Sequence, residues 1–163
     1  MYSLFAIHCR IVWLVNGSEY PMRILFPITL TLLLYACTQQ SPQTRTTIAD
    51  ARVDSAVVID IGEVGDSIGD ILVFDQPLLD ADMDAVGNNS GFCIRTRVGH
   101  SLQCQWTLSL DDGTVQVAGR EFDQGTSNLS IIGGTGNYAG VTGEMESTNN
   151  KDGTFTQTLR FRK

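Results

Sequence analysis

Apolar and polar residues alternate over short segments of the chain from residue 53 to the C-terminus. This period of two is typical of β-strands that bury one face. Turn sequences rich in glycine, asparagine and aspartate separate the segments, and none of them shows ten residues of helical periodicity. The pattern predicts eight strands, at residues 53–61, 70–75, 91–97, 102–110, 114–119, 128–132, 141–147 and 154–162.

Short strands at even spacing predict an all-β domain, either an antiparallel barrel or a sandwich. Closure into an eight-stranded antiparallel β-barrel would leave no exposed sheet edge. The interior of a barrel of this size is either filled by side chains or holds one small ligand. The alternation pattern is compatible with both interiors.

A short apolar run precedes the strands. Arg23 precedes the run, which covers residues 24–34, and Leu34, Ala36 and Cys37 occupy positions like those of a bacterial lipobox. The run is too short to cross a bilayer, so residues 22–37 are predicted to be a lipoprotein signal peptide in which Cys37 is lipidated. Ordinary secretion and a retained anchor are the alternatives.

This interpretation divides the chain into four parts. Residues 1–21 would precede the true start at Met22, residues 38–52 are polar and would form a flexible tether, and residues 53–163 would form the folded domain. The predicted location is the bacterial cell envelope. The protein would be attached to the membrane through its N-terminal lipid, or else be periplasmic or secreted.

One hairpin can be placed in register. A two-residue turn at Val98 and Gly99 sets Cys93 opposite Cys104, where Cβ atoms are about 4.5–5.5 Å apart and a small adjustment allows a bridge. Export favours a disulfide at this pair, with two free thiols or a metal site as alternatives. His100 is the only further ligand nearby, so zinc-like spacing is missing and no metal site is predicted.

The same register divides the hairpin into two faces. The face with both cysteines also carries the indole and a row of leucines, and we assign it to the interior. Its other members are Arg95, Arg97, Leu102, Trp106, Leu108 and Leu110. Arg95 would then lie inside a largely apolar barrel, where a guanidinium needs a carboxylate partner or an anionic ligand.

The chain has a formal net charge of −7. This excludes nucleic acid as a partner, because phosphate contacts need clustered Lys and Arg. The acidic run at residues 80–84 lacks the glycine and the glutamate of a calcium loop. A single His in the predicted domain leaves no basis for a Ser–His hydrolase.

The glycine-rich stretch SIIGGTGNYAGVTGEM, residues 130–145, does not match a nucleotide-binding loop. No Lys-Ser/Thr pair follows its glycines, their spacing is one residue too long for a dinucleotide fingerprint, and the next segment alternates like a strand. The glycines are therefore interpreted as a structural turn between two strands, where glycine allows positive φ and close backbone approach. They are Gly133, Gly134, Gly136 and Gly140.

Three blocks, VFDQPLLDAD, GFCI and SIIGGTGNYAGVTG, follow one another in the chain. With them the chain resembles the allene oxide cyclase and dirigent protein superfamily over about residues 57–162, and the glycine block is the most specific of the three. The resemblance implies an eight-stranded barrel of the calycin type around an apolar pocket, with no bound cofactor. It also implies a homo-oligomer, since plant members are often trimers.

The resemblance points to site residues as well. Asp75 matches an acidic position of dirigent proteins, where a carboxyl group assists proton transfer. Asp60 matches a pocket glutamate of the cyclases, although the companion asparagine of that motif is Gly62 here. Strand alternation makes Arg95 and Arg120 candidate pocket arginines, and Arg95 would hold an anionic or carbonyl group. The residues predicted to line the pocket are Trp106, Leu108, Phe122 and Arg120.

Three functional hypotheses follow. The first is a cofactor-free cyclase or isomerase-like enzyme, or a stereochemistry-directing protein, that acts on a small apolar molecule and uses Asp75 or Asp60 for proton transfer. Preorganisation of the substrate would provide most of its effect. The second is a non-catalytic module that binds a lipid-like or aromatic ligand, and the third is a structural domain of the envelope.

Overall fold

The computed structural model describes residues 41–53 and 56–163. The predicted signal peptide, Cys37 and the predicted start at Met22 lie outside the described residues. Within the described ranges, no helix is long and apolar enough to cross a membrane.

Nine strands and one 3₁₀ turn make up the described part of the chain. The turn covers Gly136–Tyr138 and lies between the seventh and eighth strands. The strands are β1 (Gln43–Asp50), β2 (Ala56–Ile59), β3 (Ile71–Leu79), β4 (Ala85–Arg97), β5 (Ser101–Leu110), β6 (Gly113–Phe122), β7 (Thr126–Gly134), β8 (Thr142–Asn149) and β9 (Thr154–Arg162).

All recorded strand pairs are antiparallel, and neighbours in the chain are neighbours in the sheet from β2 to β9. β1 pairs with β9 along its whole length and also with the end of β3, at Ile48–Leu79 and Ala49–Leu78. The second pairing closes β1 and β3–β9 into a barrel of eight strands. The predicted fold class is therefore confirmed.

The predicted boundary between tether and domain is wrong, because β1 lies inside the segment 38–52 that was interpreted as a tether. The sequence of this strand, QTRTTIAD, shows no apolar period. Its buried residues are Thr47 and Ala49. Backbone hydrogen bonds to β9 hold it in place. The strand predicted at 53–61 is shorter, covers Ala56–Ile59, and extends the sheet beside β3 with all four of its side chains exposed.

The hairpin of β4 and β5 has the predicted register. Cys93 lies opposite Cys104, and the two form a disulfide with an S–S distance of 2.02 Å. Trp106 is buried on the inner face, whereas Phe92 on the outer face is 42% exposed. A register shift between Arg95 and Arg97 displaces the turn by one residue from the symmetrical arrangement.

Apolar side chains fill one half of the barrel. They come from the C-terminal part of β3 and β5, the N-terminal part of β6, and the centre of β8 and β9. Burial of each such side chain contributes about 1.5–3 kcal/mol. The fully buried members are Leu78, Leu108, Val115, Val117, Met145 and Leu159.

The glycine-rich turn closes this filled end. Tyr138 from the turn is buried and meets Phe161 edge-to-face, with ring centroids 5.6 Å apart. The Tyr138 hydroxyl donates to Asp112 and accepts from Arg45. A Cβ at Gly134 would lie 2.4 Å from the Thr114 carbonyl oxygen and 2.7 Å from the Tyr138 Cβ, so this approach requires a glycine.

The disulfide between Cys93 and Cys104 predicts that the fold is less stable after reduction. The two cysteines are separated by 11 residues, so in the loop-entropy model the bond stabilises the fold by about 3 kcal/mol. We expect reductant to lower the free energy of unfolding by this amount in urea denaturation. The double variant Cys93→Ala/Cys104→Ala should unfold at the lowered midpoint with or without reductant. An unchanged midpoint after complete reduction would contradict the prediction.

Candidate functional site

A cavity of about 250 Å³ occupies the other half of the barrel. It is formed where β3, β5 and β9 begin and where β6 and β8 end, opposite the end that Tyr138 closes. The residues around it are Ala49, Leu72, Phe74, Gln76, Asn89, Cys93, Leu102, Trp106, Glu121, Phe122, Asp123, Ser147, Asn149, Phe155 and Gln157.

Most of the cavity wall is apolar and aromatic. Phe74 and Trp106 meet edge-to-face with ring centroids 6.0 Å apart, and Phe122 and Phe155 add two further rings. Four aromatic side chains around a small space favour a flat, conjugated ligand.

Among the described residues, Glu121 is one of two carboxyl groups in this wall, and Asp123 is the other. Glu121 shares the inner face of β6 with Val115 and Val117, and it lies opposite Leu102 of β5. Ser147 donates a hydrogen bond to Glu121 Oε1 at 2.9 Å. The second oxygen, Oε2, is buried and has no hydrogen-bond partner among the described residues.

This environment changes the protonation of Glu121. Burial away from water disfavours the carboxylate and raises the pKa of Glu121 to about 7, although hydrogen bonds from Ser147 and Ser127 act in the opposite direction. A carboxyl group with this pKa is present in both forms at neutral pH. It can therefore act as a general acid or as a general base.

Three more cavity residues carry a buried polar atom without a hydrogen-bond partner in the described part of the chain. The atoms are Asn89 Oδ1, Trp106 Nε1 and Gln157 Oε1. Buried polar atoms are nearly always hydrogen-bonded in native proteins. Together with Glu121 Oε2 they are three acceptors and one donor on residues that surround the cavity.

The surroundings of Arg95 in the structure differ from those that the sequence predicted. Arg95 forms ion pairs with Asp66 at 2.7 Å and with Asp123 at 2.6 Å, so it has the carboxylate partners that a shielded guanidinium requires. Asp123 lines the cavity and Arg95 does not. Arg95 therefore holds the loop that contains Asp66 against the rim, where Asp66 also accepts from the Gly99 amide at 2.9 Å.

Of the other predicted site residues, three lie away from the cavity. Asp75 is exposed on the outer face of β3 and accepts a hydrogen bond from Asn88. Asp60 is exposed in the loop after β2, where it accepts from the Gly65 amide at 3.1 Å. Arg120 is exposed on the outer face of β6. Asp75 and Arg120 point outward because side chains alternate along a strand, and their neighbours Gln76 and Glu121 point inward.

Some of the apolar residues predicted for the pocket line the cavity, and others do not. Trp106 and Phe122 line the cavity, and so does Cys93 of the disulfide. Leu108 is fully buried in the filled half and does not reach the cavity. It follows the same inner face of β5 as Trp106 but lies one pleat deeper.

Sequence reasoning missed Glu121, Asn89 and Gln157. For Glu121 a signal was present, because it continues the inward series of Val115 and Val117 at a period of two. The β5–β6 hairpin then places it opposite Leu102, which was predicted to face inward. A carboxyl group at an inward position of a strand is itself an indication of a functional site.

The chain matches the family model of dirigent-like proteins over residues 29–162. It belongs to the dirigent-like family. No curated protein sequence matches the chain.

Solved structures share the barrel. A pyocyanin demethylase is 26% identical, with 74% of this chain and 100% of that one covered and a TM-score of 0.63. A pterocarpan synthase dirigent protein is 20% identical, with coverage of 75% and 95% and a TM-score of 0.57. An exo-specific intermolecular Diels-Alderase is 15% identical, with coverage of 75% and 98% and a TM-score of 0.59. The latter two likenesses concern the fold.

The raised pKa of Glu121 predicts a pH-dependent stability. Its pKa is about 7 in the folded dirigent-like barrel and 4.5 as the reference value, so the folded state binds the proton more tightly. The stability that comes from this tighter proton binding is fully present below about pH 4.5 and is lost as the pH rises through 7. The loss is at most about 3 kcal/mol.

Glu121→Gln removes this titration. Urea denaturation should show the variant gaining stability relative to the wild type by up to about 3 kcal/mol between pH 5 and pH 8. Glu144→Gln is the matched control, because it makes the same substitution at a side chain that is 62% exposed and does not line the cavity. Parallel stability curves for the wild type and Glu121→Gln would contradict the prediction.

Proposed function

We propose that this dirigent-like protein is a cofactor-independent enzyme that holds a small, largely apolar conjugated molecule in the barrel and uses Glu121 to transfer a proton. The observation that carries the proposal is the Glu121 carboxyl group, which has one oxygen fixed by Ser147 at 2.9 Å and the other buried beside the cavity without a partner. Asp75 and Asp60, the carboxyl groups first considered for this role, lie outside the cavity.

The chemistry follows from the state of the carboxyl group. The Glu121 carboxylate would accept a proton from one position of the substrate. The resulting acid would then donate that proton to a carbonyl or ring atom at a second position, which neutralises the negative charge left by the first transfer. The side chain ends as it began, no electrons are gained or lost, and such a step typically contributes 10²–10⁴-fold in rate.

Substrate shape would supply the remaining effect. The aromatic wall restricts a flat molecule to few orientations, and holding reacting atoms in place lowers the entropic part of a barrier. This agrees with a cyclase or stereochemistry-directing role. The similarity to a pyocyanin demethylase makes pyocyanin the first compound to test as a substrate. Flexible dienes suited to ring closure form the second group.

We expect turnover of at least one compound by the wild-type protein, and a loss of about 100-fold or more in kcat for Glu121→Gln. Product formation is measured by chromatography, and ligand binding by titration calorimetry. Asp75→Asn is the control, because Asp75 lies on the outer face of β3, and it should retain full activity. Equal binding by both proteins with no turnover in either would refute the enzyme and favour a non-catalytic binding module.

The proposed location is an exported, lipid-anchored one. The disulfide between Cys93 and Cys104 is typical of compartments outside the reducing cytosol, and the lipobox-like sequence ends at Cys37. The disulfide supports export, and the lipobox-like sequence supports attachment to a bacterial membrane through a lipid on Cys37.

This attachment predicts the behaviour of two cysteine variants in a bacterial host. Cys37→Ser should move the protein from the membrane fraction to the soluble fraction and abolish incorporation of labelled palmitate. Cys9→Ser is the control, because Cys9 precedes the predicted start, and it should change neither result. Labelling that persists in Cys37→Ser would show that Cys37 is not the lipidated residue.

A further inference from the structure

We propose that the cavity selects an organic cation: a flat aromatic molecule that carries a delocalised positive charge. This inference rests on the proposed function, since it concerns the ligand of the same site. It starts from the charges around the cavity. Glu121 and Asp123 are the two carboxyl groups in its wall, and no Lys, Arg or His of the described residues is among the lining residues.

The two carboxyl groups differ in how their charge is compensated. Asp123 is paired with Arg95 at 2.6 Å, and Arg95 is in turn shared with Asp66 at 2.7 Å. Glu121 has hydrogen bonds from serine hydroxyls only. The ionised form of Glu121 is thus a buried charge without a cationic partner, which is costly unless a ligand supplies the positive charge.

The neighbouring polar atoms favour the same sign of charge. Asn89 Oδ1 and Gln157 Oε1 are buried acceptors without partners, and Trp106 Nε1 is the one unpartnered donor among the cavity atoms described. The ionisable side chains among the described lining residues, Glu121 and Asp123, are both acidic. An anionic ligand would be repelled, which also argues against the anion that was first expected beside Arg95.

The aromatic wall provides the second element of recognition. Phe74, Trp106, Phe122 and Phe155 line the cavity, and a cation placed against aromatic faces gains about 0.5–2 kcal/mol when it is desolvated. A neutral aromatic molecule would gain the same apolar contacts without pairing with Glu121. The combination of several rings with a single uncompensated carboxyl group therefore distinguishes a cation from its neutral analogue.

Binding of a cation should release a proton. Glu121 is largely protonated below its pKa of about 7, and a positive ligand favours the carboxylate, so the proton leaves to solvent. The other ionisable groups near Glu121 are Asp123 beside it in the cavity wall, Arg95 and Asp66 at the rim, and His100, whose ring contacts Phe122 at 5.5 Å. Of these, Asp123 is paired with Arg95 at 2.6 Å.

Three tricyclic probes of one shape test the proposal: N-methylacridinium as the cation, acridine as the neutral molecule and acridine-9-carboxylate as the anion. Titration calorimetry of the full-length protein at about pH 8 should give affinities about tenfold higher for the cation than for acridine, and no binding of the carboxylate. Titrations near pH 6.5 in buffers of different ionisation enthalpy should show release of about half a proton per cation bound, because a tenfold preference shifts the protonation equilibrium of Glu121 about tenfold.

Glu121→Gln, which keeps the shape of the side chain, should abolish proton release and reduce the preference for the cation to about twofold or less. Asp75→Asn, on the outer face, should behave like the wild type, and a thermal scan verifies that each variant is folded. Equal affinity for acridine, binding of the carboxylate, or no binding of the cation would each overturn the proposal.

These outcomes are separable from those of the proposed function. A strong preference for the cation without turnover of any compound would leave the ligand class standing and remove the enzyme. Turnover that depends on Glu121 but shows no preference for a positive charge would do the reverse.

Discussion

The pairing of β1 with both β9 and β3 is the constraint on which the rest of the structure depends. It converts an open antiparallel sheet into a closed barrel and so gives every strand of that barrel an inside and an outside. The backbone groups of β1 and β9 pair with each other and are not left for water or for another chain. Without closure the inner faces of the strands would not surround a common space, and neither a core nor a cavity would exist.

Closure also lets the two halves of the interior differ. Large apolar side chains fill the end that Tyr138 closes, and they provide the burial that stabilises a barrel of this size. The other half is left partly empty and carries polar atoms without partners. A buried carboxyl group such as Glu121 lowers stability at neutral pH, and the filled half compensates for this cost. This division is typical of proteins in which a stable scaffold supports a less stable site.

The two acidic groups of the cavity differ in how their charge is compensated, and both proposals depend on this difference. Arg95 neutralises Asp123 and anchors the rim through Asp66, whereas no cationic side chain of the described residues lines the cavity beside Glu121. We therefore propose Glu121 both as the group that exchanges a proton with a substrate and as the group whose charge a ligand matches. Barrels of this fold occur in solved proteins that are named for different reactions, so the chemistry depends on a few side chains and much less on the fold.

Short-range patterns were sufficient for much of the fold. Alternation identified the strands from β3 to β9, although with shortened ends, and the hairpin turn was sufficient to pair Cys93 with Cys104, since both depend on residues close in sequence. The inward direction of Trp106 followed from the same alternation. Glu121 was within reach of that reasoning, because it continues the inner face of β6 opposite Leu102.

The remaining features were decided by tertiary structure. β1 has no apolar period, and it is a strand because β9, more than a hundred residues away in the chain, offers a matching backbone edge. The compensation of Arg95 arises from residues on two other segments, and the raised pKa of Glu121 arises from burial by side chains of several strands. What the sequence by itself determined is which residues can form strands and which hairpins they form. Which side chains share the cavity, and with what charge, depends on distant strands meeting in three dimensions, and no local pattern contains that information.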